Sequence, residues 1–203
     1  FFIGDFQSAY KIISQSLHFV KSNYSTIIFP EENYSVVLNS ITIVQQSLGK
    51  YKAALHSIQN HRSLAQKSVP VKAHAFICSY INETNYYLLR SEFKKGAAII
   101  KNIENELDEF KFGIPYKALV ILYGNITILY FGTGDYHKSL AWINKIINHP
   151  KVIVREDVQS WARILQILIH YELNTPDILQ HLLVSTNRFL FGREQLYKVE
   201  ESF

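Results

Sequence analysis

Residues 132–143 read "GTGDYHKSLAWI". Gly134 opens a turn, Tyr136 follows after one residue, and Ser139 stands three positions beyond the aromatic. The same spacing occurs as Gly4-Asp5-Phe6 with Ala9, Gly49-Lys50-Tyr51 with Ala54, and Ser91-Glu92-Phe93 with Gly96. A weaker copy is Asn174-Thr175-Pro176 with Leu179. The anchors at 4, 49, 91, 134 and 174 are 45, 42, 43 and 40 residues apart. Nine residues after each anchor stands an aliphatic, namely Ile13, Ile58, Ile100, Ile143 and Leu183. Seven residues before three of them stands a threonine, Thr42, Thr84 or Thr127. Self-similarity at a nearly fixed period of this length marks a stacked repeat array.

Each part of the motif has a physical reason. Glycine or asparagine accepts the left-handed backbone that ends a helix. An Asp or Ser after or at that point is expected to cap the next helix, and Thr175-Pro176-Asp177 combines a cap, an N1 proline and an acid at the positive helix end. The aromatic fills the wedge between two helices, and the small residue three positions on lets their backbones approach. The period therefore predicts helices at 6–20, 33–47, 51–66, 71–89, 92–109, 116–131, 136–148, 155–172 and 176–190. Pro30, Pro70, Pro115 and Pro150 are expected in the loops between the second helix of one repeat and the first of the next. "SITIV" and "NITILYF" have local strand character, but runs of about 17 residues between breakers exceed typical strand length.

The pattern resembles the tetratricopeptide repeat, whose inter-helix turn is Gly-x-Tyr-x-x-Ala. Gly49, Tyr51, Ala54 and Ile58 carry the match, as do Gly134, Tyr136, Ser139 and Ile143. The period is longer than the family's 34 residues. The family's helix A tryptophan position holds Leu38, Tyr80, Tyr123 and Arg163. The chain is thus similar to the divergent long-repeat arrays of bacterial regulatory and scaffold proteins, and its stretch 185–203 is similar to bacterial proteins of this type. The expected fold is all-α, a right-handed superhelical array of antiparallel helix pairs. One array is expected over 1–203, with a half repeat at 1–29, repeats at 30–69, 70–113, 114–150 and 151–191, and a capping tail at 192–203.

The resemblance implies protein or peptide binding on a concave face built from the first helix of each repeat. That places Asn39, Ile43 and Gln46 on the face, followed by Asn82, Asn85 and Leu88, then Asn125, Ile128 and Phe131. An asparagine offers a donor and an acceptor to an extended backbone without adding charge. The lysine-and-asparagine clamp for a terminal carboxylate is not reproduced, because Asn39 and Ile43 stand at its positions.

Chemistry for catalysis is sparse. No phosphate-binding glycine loop occurs, and Gly132-x-Gly134 lacks the third glycine of a dinucleotide fingerprint. The eight histidines are scattered. His56 and His61, five apart, do not share a helical face, so the histidines are expected to be exposed or capping. Cys78 needs a histidine and an orienting group beside it to act as a nucleophile, and a small buried hydrophobe is the simpler expectation. The chain is therefore expected to be no enzyme, with no cofactor and no metal.

Charge and composition bound the partner. Hydrophobic residues make up 48% and charged residues 19%, as in an ordinary globular chain. Residues 33–82 contain no Asp or Glu but carry Lys50, Lys52, Arg62, Lys67 and Lys72, a basic patch suited to an acidic partner. A net charge of +4 without a nucleic-acid motif speaks against nucleic acid, which stays as an alternative through region 50–72. A second alternative is a ligand-responsive sensor array that controls an effector domain outside this stretch. The uncharged run 118–134 contains Gly124, Asn125 and Thr127 and is too short for a membrane span. The chain has no methionine and starts "FFIGDF", which is read as a piece of a longer protein. One cysteine favours a reducing compartment, hence the cytoplasm. An unpaired first helix predicts a homodimer through the exposed repeat ends.

Overall fold

In the computed structural model of the chain, Gly49, Ser91, Gly134 and Asn174 all hold a left-handed backbone, at φ +68°, +55°, +79° and +51°. Residues 5–64, 69–110, 113–149 and 156–200 are described, with side-chain surroundings for all of these except 69–70, 156 and 192–200. Each of the four turns closes with the same pair of main-chain bonds. Gly49, Ser91, Gly134 and Asn174 donate to Gln46, Leu88, Phe131 and Tyr171. Lys50, Glu92, Asp135 and Thr175 donate to Gln45, Tyr87, Tyr130 and His170. These bonds satisfy carbonyls left open at a helix end, and the left-handed residue makes the reversal.

The described regular elements are all helical. They are α1 (Phe6–Ser22), α2 (Pro30–Ser47), α3 (Tyr51–Ser63), α4 (Val69–Leu89), α5 (Phe93–Ala98), α6 (Ile100–Phe110), α7 (Tyr116–Thr133), α8 (Tyr136–Ile147), α9 (Glu156–Glu172) and α10 (Pro176–Glu200). Both "SITIV" and "NITILYF" are helical, within α2 and α7. Asp5 and Asp135 accept from the main-chain N–H groups of Ser8 and Lys138, capping α1 and α8 as the motif requires. Lys50 and Glu92 cap nothing through their side chains.

Four expectations about the elements are corrected. Pro30 and Pro70 lie inside the first turns of α2 and α4 instead of the preceding loops. Proline is tolerated there, because the first helical N–H groups have no intrahelical acceptor. Pro150 lies outside the described residues. The helix expected over 92–109 is interrupted at Ile99, which keeps a right-handed backbone at φ −82° between α5 and α6. The helix expected over 176–190 runs on to Glu200, into the stretch read as a capping tail.

The chain divides into two compact units, Phe1–Asn125 and Ile126–Phe203. In the first, α2 packs against α1, α3 and α4. Leu38, Ile41, Leu64, Val71 and Ala75 form a buried cluster, flanked by Tyr10, Ile13, Leu17 and Tyr34. Phe76 packs edge-on against Tyr80 and beside Phe110. In the second unit α9 packs against α8 and α10. Trp142, Ile143, Ile146, Ala162, Leu165 and Ile169 are buried there.

The repeated positions behave alike in the three middle copies. Ala54, Gly96 and Ser139 are buried, as close helix approach demands. Ile58, Ile100 and Ile143 are core, whereas Leu183 of the weak copy is exposed. Thr42, Thr84 and Thr127 are fully buried. The hydroxyls of Thr42 and Thr84 donate to the carbonyls of Leu38 and Tyr80, one turn back, at 2.7 and 2.8 Å. That internal partner lets a polar side chain sit in an apolar core. Among the described residues no helix is long and apolar enough to cross a membrane.

A candidate ligand groove on α2, α4 and α7

Helices α2 and α4, with the first part of α7, enclose a groove of about 550 Å³ within the first unit. Its lining repeats with helical spacing. Asn39 and Ile43 come from α2, Ile77, Ile81 and Asn85 from α4, and Ala118, Ile121 and Asn125 from α7. His74, Cys78, Asn82, Pro115 and Lys117 complete it. Ile43 and Ile121 are each 44% exposed and give the groove an open apolar surface.

Of the nine residues expected on this face, Asn39, Ile43, Asn82, Asn85 and Asn125 line the groove. Gln46 lies beneath them and is buried. Leu88, half-buried at the end of α4, does not line it. Ile128 and Phe131 belong to the second unit, where Phe131 packs edge-on against Tyr136 at 5.3 Å. The sequence reading missed Ile77, Ile81, Ala118 and Ile121. Their signal was available, because they precede Asn85 and Asn125 by four, seven or eight residues and so share a helical face.

The amides bond to one another across the helices. Asn82 Nδ2 donates to Asn39 Oδ1 at 2.8 Å. Gln46 Nε2 donates to the main-chain oxygen of Asn82 at 2.7 Å. Asn85 Nδ2 donates to Gln46 Oε1 at 2.7 Å. Asn125 Nδ2 donates to Thr84 Oγ1 at 3.1 Å and reaches the main-chain oxygen of Ile81 at 3.4 Å. This polar ladder ties α2 to α4 and α4 to α7 along the groove floor.

A second polar chain runs from the groove into the core. Cys78 Sγ is 3.5 Å from His74 Nε2. Ser35 Oγ stands 2.7 Å from His74 Nδ1 and 2.6 Å from His61 Nε2. A hydroxyl has one proton, so Ser35 donates to one ring and accepts from the other. His61 is fully buried, with Nδ1 lacking a partner, so the expectation of exposed or capping histidines fails for it. Burial, with His74 nearby, pushes the His61 imidazole down to about 4. Burial likewise lowers His74, and it pushes the Cys78 thiol up to about 11. The chain thus holds a protonated thiol beside neutral imidazoles. Among the described residues no three His, Cys, Asp or Glu side chains are grouped to hold a metal ion.

The basic residues are dispersed by local partners. Lys50 Nζ lies 4.2 Å above the Tyr10 ring. Arg62 pairs with Glu83 and stacks 4.1 Å from the Tyr80 ring centre. Lys52 is exposed, Lys72 is half-buried, and Lys67 lies outside the described residues. Among the described residues, Lys117 is the one charged residue that lines the groove.

In the second unit, Ile164, Leu168 and Tyr171 stand at the register of Asn39, Ile43 and Gln46, counted back from the turn. All three are exposed. The amides of the first unit are therefore replaced on α9 by an apolar stripe.

The chain matches no family model, no curated protein and no solved structure.

Proposed function

We propose that the chain is a non-catalytic module that binds a peptide or a protein segment in the α2–α4–α7 groove. The observation that carries this reading is the groove's composition. Exposed aliphatics sit above a floor of amides, and Asn82 and Asn125 stand at the same distance before their turns. Ligand sites combine an apolar lining with a few placed polar groups in this way. The four identical turns support the finer architecture, a tetratricopeptide-like array of antiparallel helix pairs stacked in a right-handed superhelix. The proposed site of action is the cytoplasm. Self-association through the exposed Phe6, Ile12 and Phe19 of α1 belongs to the same reading.

The test is selection of displayed random dodecapeptides on the wild-type protein and on Ile43→Glu and Ile121→Glu. Both isoleucines are partly exposed, so either variant blocks the groove with little effect on folding. Peptides enriched on the wild type and lost on both variants support the reading. Enrichment that ignores the substitutions, or no enrichment at all, removes it.

A further inference from the structure

We infer that the α9–α10 face of the second unit is a self-docking surface, where two copies of the chain pair about a twofold axis and the Asn187 amide of each meets the Thr186 hydroxyl of the other. This face shares no residue with the peptide groove and does not depend on it.

The repeat register sets α10 apart. Nine and twelve residues after the turn residue stand Ile58 and His61 on α3, Ile100 and Ile103 on α6, and Ile143 and Ile146 on α8. All six are at most 2% exposed. Helix α4 packs against α3, and α9 packs against α8. At the same register α10 carries Leu183, which is 50% exposed, and Thr186. A register that is core on three helices is therefore surface at Leu183.

Around Leu183 lies an open groove of about 450 Å³ between α9 and α10. Ile164 and Ile167 line it from α9, and Val184, Asn187 and Leu190 from α10. Thr186 lines it too, is 4% exposed, and has no hydrogen-bond partner for Oγ1. Thr42 and Thr84 differ, because their hydroxyls bond to the carbonyl one turn back. An unpaired buried hydroxyl is costly, and an occupant of the groove supplies the missing partner.

A second copy brings both things the face lacks, apolar cover and a polar group at the right place. Trp161, Ile164 and Leu168 form a stripe on α9 at spacings of three and four, and Val184 and Phe191, seven apart, form another on α10. With Leu183 these side chains are 38–59% exposed. At about 200 Å² for a whole large side chain they offer on the order of 600 Å². A standard interface takes about 800 Å² from each partner. Among the described residues no charged side chain lines the groove, so no like charges are opposed within it. Asn187 is exposed beside Thr186 and carries both a donor and an acceptor. A twofold axis makes the contact reciprocal, so one geometry satisfies both Thr186 hydroxyls.

Analytical ultracentrifugation of the full chain tests the pairing. The wild type should be a dimer that dissociates on dilution in about the micromolar range. Leu183→Glu and Val184→Glu should each be monomeric with an unchanged helical spectrum, since both side chains are about half exposed. Phe19→Glu, on α1, should remain dimeric. Thr186→Val should raise the dissociation constant about tenfold, the loss of roughly one hydrogen bond, and Thr186→Ser should keep the wild-type value. In the Leu183→Glu monomer the same valine should raise the thermal midpoint, because the unpaired hydroxyl is gone. A wild type that stays monomeric at about millimolar concentration overturns the inference and leaves the face to a helix of another protein or an apolar ligand. A dimer that survives both glutamates but not Phe19→Glu overturns it by moving the contact to α1. A dissociation constant unmoved by Thr186→Val overturns the twofold geometry.

Discussion

Asn85 of α4 gives its amide nitrogen to Gln46 of α2 across 2.7 Å, and Gln46 returns its own nitrogen to the backbone of α4 at Asn82. One buried glutamine therefore joins two helices by two bonds and sets which way a groove residue faces. The same side chain acts on stability and on recognition.

Replacing Gln46 with Leu removes two inter-helix bonds, leaving the Asn82 carbonyl only its intrahelical donor and Asn85 Nδ2 without its Gln46 acceptor. Two such bonds are together worth about 2 kcal/mol. Urea unfolding should show that loss in the Gln46→Leu protein, whereas Ile43→Glu stays within about 0.5 kcal/mol of the wild type. Equal stability of the Gln46→Leu protein would mean that the ladder adds nothing to the first unit.

The buried histidines give a pH dependence with a defined sign. His61 is depressed from the ordinary 6.5 to about 4, so the unfolded chain binds its proton first. Its contribution is complete above pH 6.5 and is lost as the pH falls toward 4. The displacement corresponds to about 3 kcal/mol. His74 is shifted the same way and adds to the loss. Denaturant midpoints at pH 7.5 and 4.5 should differ strongly in the wild type and much less in His61→Gln. An identical pH slope in both proteins would assign the effect to other groups.

The four turns should answer glycine exchange with opposite signs. Gly49 and Gly134 have positive φ and no neighbour within 4 Å of an added Cβ, so alanine there meets conformational strain alone. Each Gly→Ala change should cost about 1 kcal/mol. Ser91 holds the same left-handed backbone with a side chain attached, so Ser91→Gly should raise stability by about 0.5 kcal/mol. Thermal unfolding of the three variants checks the pattern, and a destabilised Ser91→Gly would contradict it.

The turns were legible in the sequence because they are local. Spacing placed Gly49, Ser91, Gly134 and Asn174, and the chemistry of ending one helix and starting another explained them. The threonine positions were legible by their spacing from the turns, whereas the bonds that the Thr42 and Thr84 hydroxyls make one turn back along their own helices emerge from the structure. The asparagine row could be placed on a face by its spacing. Its use of nitrogens for inter-helix bonds could not be read, because Asn39–Asn82 and Gln46–Asn85 join residues about 40 apart whose register depends on packing. The contacts between His61, Ser35 and His74 are equally remote in sequence. Helix α10 runs past its expected end at 190, because the repeat pattern that placed the other helices does not extend beyond that point.

Cys78 gives the most direct test of the groove. It is the chain's one cysteine, it lines the site, and burial keeps its thiol protonated near neutral pH. Alkylation by iodoacetamide should therefore be slow at pH 8 and quicken as the pH approaches 11. The measurement is that rate, followed while a selected peptide is added to saturation. A peptide seated between α2, α4 and α7 covers the sulfur, so the rate should fall at least tenfold with the peptide's own dissociation constant. An unchanged rate at saturation would place the peptide elsewhere and contradict the assignment of this groove.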